Sequence, residues 1–323
     1  MRLPEKGSRP YPLPACYDKI RKSSMRERLW VLHVRWWFTS HWRTRLVLLL
    51  GLGLTGCSPV RVVNGLSPDS HYQLTADVPY GADARQKLDL YVPVAASGTP
   101  PVVVFFYGGG WRKGSKEHYE FVASSLTKAG YVVIIPDYRL FPEVRFPGFV
   151  EDGARAVAWT MQHAGQYGAA PDEIFLMGHS AGAHIAALLA MDRRYMAAHA
   201  INPGKFNGFI GLSGPYDFLP IESGYLRDVF PEDQRAASQP INIVTAEAPP
   251  TLLIHGTGDS RVYVGNSERL ARRLSGQGAD VTIKLYEGAG HAVIAASLAP
   301  PLDFTQGTFE DIRTFIETRR TGQ

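Results

Sequence analysis

A serine stands between two glycines in the segment FLMGHSAGAHIAALLA, residues 175–190. The apolar run before Gly178 predicts a strand, and the alanine- and leucine-rich run after Gly182 predicts a helix. At such a strand-to-helix turn the Gly-x-Ser-x-Gly pattern presents a serine hydroxyl above the edge of a sheet. A Cβ at either glycine would crowd the turn. Ser180 is therefore the predicted nucleophile.

A serine hydroxyl is a weak nucleophile, so it needs a base, and the base needs an acid that orients it. In the context of this motif the acid and then the base follow the serine along the chain. Asp259 lies in a glycine loop after the apolar run 251–254, and His291 lies in another glycine loop after the run 281–285. Both positions follow predicted strands, where sites form in open α/β sheets. We predict a Ser180–Asp259–His291 triad.

Other histidines compete for the role of base. His184 lies four residues after the serine but inside the predicted helix, where its side chain should pack rather than reach over the hydroxyl. His179 is expected to line the turn, and His255 to support the loop that carries the acid. A turn aspartate at 259 and a helix-capping histidine at 291 are the alternative roles for the two predicted triad members.

A triple glycine supplies candidates for the third requirement, N–H groups that bind a developing oxyanion. The segment FYGGGW, residues 106–111, begins at the end of a predicted buried strand. Glycines let the backbone approach a substrate oxygen and point N–H groups at it. We predict that Ala181, directly after the nucleophile, supplies one donor and that Gly109 and Gly110 supply the others, with Gly108 as an alternative.

The first 56 residues differ in charge from the rest. They hold eleven Lys and Arg against three Asp and Glu, a net charge of +8, whereas residues 57–323 hold 23 against 27, a net charge of −4. The positive charge belongs to this leader, so the remainder lacks a basic nucleic-acid footprint and no nucleic-acid partner is expected.

The leader has the pattern of an export signal. Two arginines precede nine apolar residues, 46–54, which are too few to span a bilayer. The following Leu-Thr-Gly-Cys, 54–57, resembles the bacterial lipobox, which implies cleavage before Cys57 and a lipid on that cysteine. A membrane-anchored lipoprotein is expected. Ser58, rather than aspartate, favours the outer membrane in a cell that has one. A short buried segment is the alternative, and Met25 is a second possible start.

The rest of the chain has the pattern of one α/β domain. Strands are predicted at 72–78 and 87–92, and then at six apolar runs that suit a mostly parallel sheet buried on both faces: 102–106, 131–135, 174–177, 209–212, 251–254 and 281–285. Helices are predicted at 117–129, 150–165, 182–197, 265–276 and 309–319. We divide the chain into a leader (1–56), a tether (57–70) and one catalytic domain (71–320). The connection 214–249 is a predicted lid or binding loop, with a helical excursion packed on the surface as the alternative.

Taken in order, these motifs resemble the α/β-hydrolase esterase and lipase group, which includes hormone-sensitive-lipase-like carboxylesterases, kynurenine formamidases and feruloyl and acetylxylan esterases. The shared motifs are YGGGW (107–111), PDYRL (136–140), GHSAGAH (178–184), Asp259 and His291. The resemblance covers residues 72–318 and implies the α/β-hydrolase fold, with helices on both faces of the sheet. Tyr107 departs from the family, which usually has a histidine that supports the glycine turn. Its hydroxyl can keep such a hydrogen bond.

The expected activity is hydrolysis of carboxylic esters, on small or carbohydrate-linked substrates, by a serine hydrolase. No cofactor is expected, and no metal, because no His/Cys/Asp cluster with ligand spacing occurs in the sequence. Two alternatives remain open. One is an arylformamidase that acts on an amide-like bond. The other is a lipoprotein that uses the hydrolase fold for binding without catalysis.

Overall fold

The computed structural model describes residues 64–65, 67–96, 98–300, 302 and 307–320. These residues lie in one unit of the chain, Pro59–Gln323. The leader, Cys57 and the first part of the predicted tether lie outside them. Among the described residues no helix is both long and apolar enough to cross a membrane.

Eight strands of the described residues form one sheet. Their bounds are β1 Tyr72–Pro79, β2 Lys87–Pro93, β3 Val102–Phe106, β4 Val132–Pro136, β5 Ile174–His179, β6 Gly208–Leu212, β7 Thr251–Gly256 and β8 Val281–Tyr286. Their order across the sheet is β1-β2-β4-β3-β5-β6-β7-β8. β2 pairs antiparallel with both β1 and β4. The strands from β4 to β8 are all parallel. The predicted α/β fold with a mostly parallel sheet is confirmed.

The five central strands, β3 to β7, are buried at every residue. Successive side chains of a strand point to opposite faces, so both faces of the sheet are covered, as the apolar runs predict. The same expectation is wrong for β8, where Lys284 and Leu285 are exposed. β8 pairs only with β7 and is an edge strand, so its outer side faces solvent.

Helices follow most of the strands. Their bounds are α1 Glu120–Lys128, α2 Gly148–His163, α3 Ala181–Met191, α4 Arg193–Ala197, α5 Gly224–Val229, α6 Gly265–Gly276, α7 His291–Ala296 and α8 Thr308–Glu317. The single helix predicted at 182–197 is divided at Asp192. The carboxylate of Asp192 accepts the N–H of Arg194 at 3.1 Å and caps a new helix.

The connection 214–249 contains α5 and two short 3-10 turns, Glu232–Gln234 and Pro240–Asn242. Its Phe230 is fully buried, with ring centroids 4.8 Å from Trp111 and 5.7 Å from His184. The N–H of Phe146 also donates to the Val229 carbonyl at 2.9 Å. The connection therefore packs on the domain through an aromatic cluster, and a lid role for it stays a prediction.

The described part of the predicted tether contacts the domain. The side chain of Asn64 donates to the Glu117 carbonyl at 2.6 Å and accepts the N–H of Phe121 at 3.2 Å. Further along, the Ser124 hydroxyl donates to the Pro68 carbonyl at 2.7 Å. Asn64 and Pro68 are thus attached to α1 and to the turn before it.

Candidate active site

Ser180 occupies the turn between β5 and α3 with φ 55° and ψ −122°. A positive φ is strained for a residue with a side chain and persists only where the surroundings impose it. Here an ideal Cβ at Gly182 would lie 2.0 Å from the Phe106 carbonyl oxygen, and one at Gly178 would lie 2.4 Å from the backbone of Gly182. The two glycines flanking the serine are required because β3 and α3 approach the turn so closely.

The structure brings the three predicted triad residues together. The Ser180 hydroxyl lies 2.9 Å from Nε2 of His291, and Nδ1 of His291 lies 2.7 Å from Oδ2 of Asp259. With the Nδ1 proton donated to the carboxylate, Nε2 is left to accept the proton of the serine hydroxyl. Asp259 follows β7 and His291 is the first residue of α7, so the carboxyl ends of neighbouring parallel strands position both.

The surroundings of Asp259 favour its charged form. Oδ1 accepts the N–H groups of Arg261 and Val262, both at 2.9 Å, while Nε2 of His255 lies 3.3 Å from Oδ2. Burial works to raise the pKa of Asp259, but the hydrogen bonds from His255, His291 and the backbone prevail and hold that pKa well below its usual value. The carboxylate is therefore a fixed negative charge beside the imidazole of His291.

The competing base, His184, lies away from the serine hydroxyl. It is completely buried in α3, and its Nε2 donates to the Ser238 carbonyl at 2.7 Å. Its Nδ1 has no hydrogen-bond partner among the described residues. Burial lowers the pKa of His184 to about 4, so the ring is neutral near pH 7. His255 lies beside the acid loop, as expected, with Nδ1 2.7 Å from the Ser267 hydroxyl.

The glycine turn after β3 presents free amides. Gly109 has φ 145°, and a Cβ there would lie 1.8 Å from the Lys113 carbonyl oxygen. The N–H of Gly108 donates to the Tyr119 hydroxyl at 3.3 Å, whereas those of Gly109 and Gly110 have no acceptor among the described residues. Ala181 is the first residue of α3, so its N–H has no acceptor within the helix. It also lies at the positive end of the helix dipole. The three predicted oxyanion donors are thus available.

Tyr107 holds the glycine turn through its side chain. The buried hydroxyl donates to Oδ1 of Asp137 at 2.7 Å and accepts from the Arg85 guanidinium at 2.8 Å. Arg85 also donates to the Gly114 carbonyl at 2.6 Å, and Tyr138 donates to the Tyr107 carbonyl at 2.7 Å. Burial, with the nearby charge of Asp137, raises the pKa of Tyr107 well above its usual value. Tyrosine therefore keeps a hydrogen bond at this position, as its hydroxyl allows.

A hydrogen-bonded chain that the sequence did not reveal joins the glycine turn to the base. Nε2 of His179 donates to the His291 carbonyl at 3.2 Å, so its Nδ1 accepts from the Tyr119 hydroxyl at 3.0 Å. Tyr119 in turn accepts the N–H of Gly108. Burial lowers the pKa of His179 to about 3, which keeps the ring neutral, as this chain requires. Tyr119 lies in no recognisable motif, so only the three-dimensional structure identifies it as part of the site.

Three further observations concern regions outside the predicted triad. A surface cavity of about 440 Å³ lies between α2, α4 and the segment around Gln234, and no predicted site residue lines it. Within the part of the chain that the structure describes, no three His, Cys, Asp or Glu side chains are grouped so as to hold a metal ion. Cys57, the predicted lipidation site, lies outside the described residues.

The sheet order and the elbow at its carboxyl edge define an α/β-hydrolase of the esterase group. The chain belongs to the BD-FAE family, which it matches over residues 88–274. It is 29% identical over 303 residues to a probable isoprenylcysteine alpha-carbonyl methylesterase, ICMEL1, of Arabidopsis thaliana, covering 85% of this chain and 62% of that protein. It is 34% identical over 156 residues to the kynurenine formamidase of Salmo salar, covering 48% of this chain and 51% of that protein.

A solved structure has the same fold. Esterase 2 of Thermogutta terrifontis, phosphoramylated by tabun, aligns with a TM-score of 0.65 and 25% identity over 78% of this chain and 97% of its own. The chain thus spans nearly all of this esterase but only about half to three fifths of the two curated relatives, 51% and 62% of their lengths.

Proposed function

We propose that the protein hydrolyses carboxylic esters with Ser180 as nucleophile, His291 as general base and acid, and Asp259 as the group that orients His291. The observation that carries this proposal is the continuous hydrogen-bonded line from the serine hydroxyl through the imidazole to the carboxylate, at 2.9 and 2.7 Å. The relatives and the structural neighbour named above are esterases or a formamidase, which agrees with this chemistry.

In the first half of the reaction the Ser180 oxygen attacks the ester carbonyl while Nε2 of His291 takes the hydroxyl proton. The negative charge that develops on the carbonyl oxygen is bound by the N–H groups of Ala181, Gly109 and Gly110. His291 then gives its proton to the departing alcohol, which leaves an acyl group on Ser180.

In the second half a water molecule replaces the alcohol. His291 takes a proton from this water as it attacks the acyl carbonyl, and the same N–H groups bind the second oxyanion. Return of the proton to the Ser180 oxygen releases the acid. Asp259 stays ionised throughout, because its hydrogen bonds lower its pKa, so it stabilises the imidazolium in both halves. These steps need no metal, and EDTA should leave the activity unchanged.

Substitution of Ser180 tests the assignment. We expect Ser180→Ala to lower kcat on the order of 10⁶-fold, because members of a triad act as a unit. The turn already holds residue 180 through backbone bonds to Leu212 and His184, so circular dichroism and the melting temperature should stay close to wild type. A fluorophosphonate probe should label the wild type and not the variant. Ester hydrolysis retained by a correctly folded Ser180→Ala protein would disprove the proposal, and a wild type that takes no probe would favour the non-catalytic binding role.

An arylformamidase is the second candidate, and the similarity to the Salmo salar kynurenine formamidase favours it. The triad suits both reactions, since an amide-like formyl group is attacked in the same way. Turnover of a p-nitrophenyl ester should be compared with turnover of N-formylkynurenine. A kcat/KM higher for short-chain or carbohydrate-linked esters supports the esterase, whereas a strong preference for N-formylkynurenine would support the formamidase.

We also propose that the enzyme is exported and anchored to a membrane by a lipid on Cys57, with the outer membrane as the destination in a cell that has one. The support is the lipobox-like Leu-Thr-Gly-Cys at 54–57 behind an apolar run and basic residues. The catalytic proposal does not depend on this anchor.

A further inference from the structure

An exposed arginine lies on the glycine turn, two residues after Gly110. The guanidinium carbon of Arg112 stands 4.1 Å from the centroid of the Tyr225 ring, a cation–π contact between the turn and the first helix of the connection 214–249. The hydroxyl end of the same ring reaches the turn, because a Cβ at Gly110 would lie 3.0 Å from the Tyr225 oxygen. Tyr225 thus contacts Arg112 and also approaches Gly110, a predicted oxyanion donor.

The contact orients the arginine without neutralising it. The cation–π contact satisfies none of the N–H groups of the guanidinium, so these remain available to a ligand. Among the residues that the structure describes, no carboxylate lies within 4 Å of Arg112. By contrast Arg269, in α6, is paired with Asp217 of the connection at 2.5 Å. A positive charge is therefore held against Tyr225 near the site, with no carboxylate partner among the described residues.

We propose that Arg112, positioned by Tyr225, binds a carboxylate of the ester substrate, so that the enzyme prefers esters carrying a negative charge on the acyl or the alcohol part. The planar fork of a guanidinium matches a carboxylate through two parallel hydrogen bonds. This inference rests on the proposed function, since it names the substrate class of the same site. A purely structural role, in which Arg112 only ties the turn to the connection, makes a different prediction: the charge of the substrate would not matter.

The test uses two pairs of esters matched in size. On the acyl side, 4-nitrophenyl hemisuccinate is compared with 4-nitrophenyl butyrate, and on the alcohol side, 4-acetoxybenzoate with 4-acetoxytoluene. For each pair the ratio of kcat/KM, charged over neutral, is measured in the wild type, in Arg112→Met and in Lys113→Met. Lys113 is exposed and adjacent, so its variant removes the same charge from the same loop and controls for long-range electrostatics.

We expect the ratio to fall roughly fivefold in Arg112→Met for at least one pair, the upper end for an exposed ion pair, with little change for the neutral ester. Lys113→Met should keep the wild-type ratio. Because each ratio is compared with the wild type, differences in intrinsic ester reactivity cancel.

Other results overturn the proposal. If Arg112→Met left the ratio unchanged in both pairs, or lowered kcat/KM equally for charged and neutral esters, the role of Arg112 would be only structural. An equal fall in Lys113→Met would assign the effect to the general field of the loop. If the wild type hydrolyses neither neutral ester and takes no fluorophosphonate, the proposed function itself fails. Hydrolysis of neutral esters without charge selectivity rejects only the role of Arg112.

Discussion

At the scale of single residues, Tyr107 is the position where this chain departs from the pattern of its group. Its buried hydroxyl is the centre of a network in which Asp137 and Arg85 hold Tyr107, just before the glycine turn, and Gly114, just after it. A hydroxyl in this place donates to the carboxylate and accepts from the guanidinium at once. The network therefore supports the glycine turn at Tyr107, in addition to the hydrogen bond that Gly108 makes with Tyr119.

We expect Tyr107→Phe to lower kcat about tenfold or more with a smaller change in KM, because the oxyanion donors lose their support rather than the substrate its binding contacts. The free energy of unfolding should fall by about 1–3 kcal/mol, since Asp137 and Arg85 lose a buried partner. Steady-state kinetics and denaturant unfolding measure the two effects.

Tyr131→Phe is the matched control, because its hydroxyl bonds the Glu317 carboxylate at 2.6 Å in α8. Tyr131→Phe should lower the free energy of unfolding without lowering kcat. If Tyr107→Phe and Tyr131→Phe had the same kcat, the support of the turn by Tyr107 would be rejected.

The elements illustrate what a pattern of residue types can predict. Buried parallel strands consist of continuous apolar runs, so β3 to β7 could be found from the sequence, and with them the loops that carry the predicted triad. The break at Asp192 and the short helix that begins at His291 depend on local capping and loop geometry, which the apolar pattern does not record. The exposure of β8 depends on which strand lies at the edge, a property of the whole sheet.

The helix after the nucleophile, α3, is buried along its entire length and contains a neutral histidine. Burial lowers the pKa of His184 to about 4, below the value of roughly 6.5 for an unfolded chain. A lowered pKa means that the unfolded state binds the proton more readily. The stability that comes from neutral His184 is therefore complete above about pH 6.5 and is lost as the pH falls toward 4.

We expect the free energy of unfolding to fall by roughly 3 kcal/mol between pH 6.5 and 4 from His184 alone. Buried His179 adds to the loss in the same direction. His184→Gln keeps a donor for the Ser238 carbonyl but takes up no proton, so it should flatten the profile measured by urea unfolding at a series of pH values. His118→Gln, which changes an exposed histidine, should not. A wild-type slope in His184→Gln would show that the acid sensitivity arises elsewhere.

At the scale of the whole molecule the site is assembled from distant parts of the chain. Ser180 and His291 are 111 residues apart, and His291 and Asp259 are 32 apart. The sequence could predict these partners because each follows a strand of one parallel sheet, so that all lie at the same edge. It could not predict Tyr119 or Arg85, whose contacts with the turn depend on how α1 and the loop before β2 pack.

The predicted anchor is tested on the full-length chain. We expect cleavage before Cys57, palmitate labelling of the wild type and partition into membranes, with all three lost in Cys57→Ser. Cys16→Ser is the control, since the chain holds two cysteines and this one lies in the leader. It should label like the wild type. Equal labelling of Cys57→Ser, or a mature N-terminus well upstream of residue 57, would reject the lipid anchor.

The attachment of Asn64 to the domain has a consequence for where a lipid-anchored enzyme would find its substrate. Only residues 58–63 separate Cys57 from Asn64, a length of about 25 Å at full extension. Asn64 bonds Glu117 and Phe121, and Tyr119 between them contacts both the glycine turn and His179. An anchor on Cys57 would therefore lie at most about 25 Å of chain from Asn64, which itself lies close to residues that support the site. If Cys57 carries a lipid, the catalytic domain would be held close to the bilayer, within reach of esters at the lipid surface.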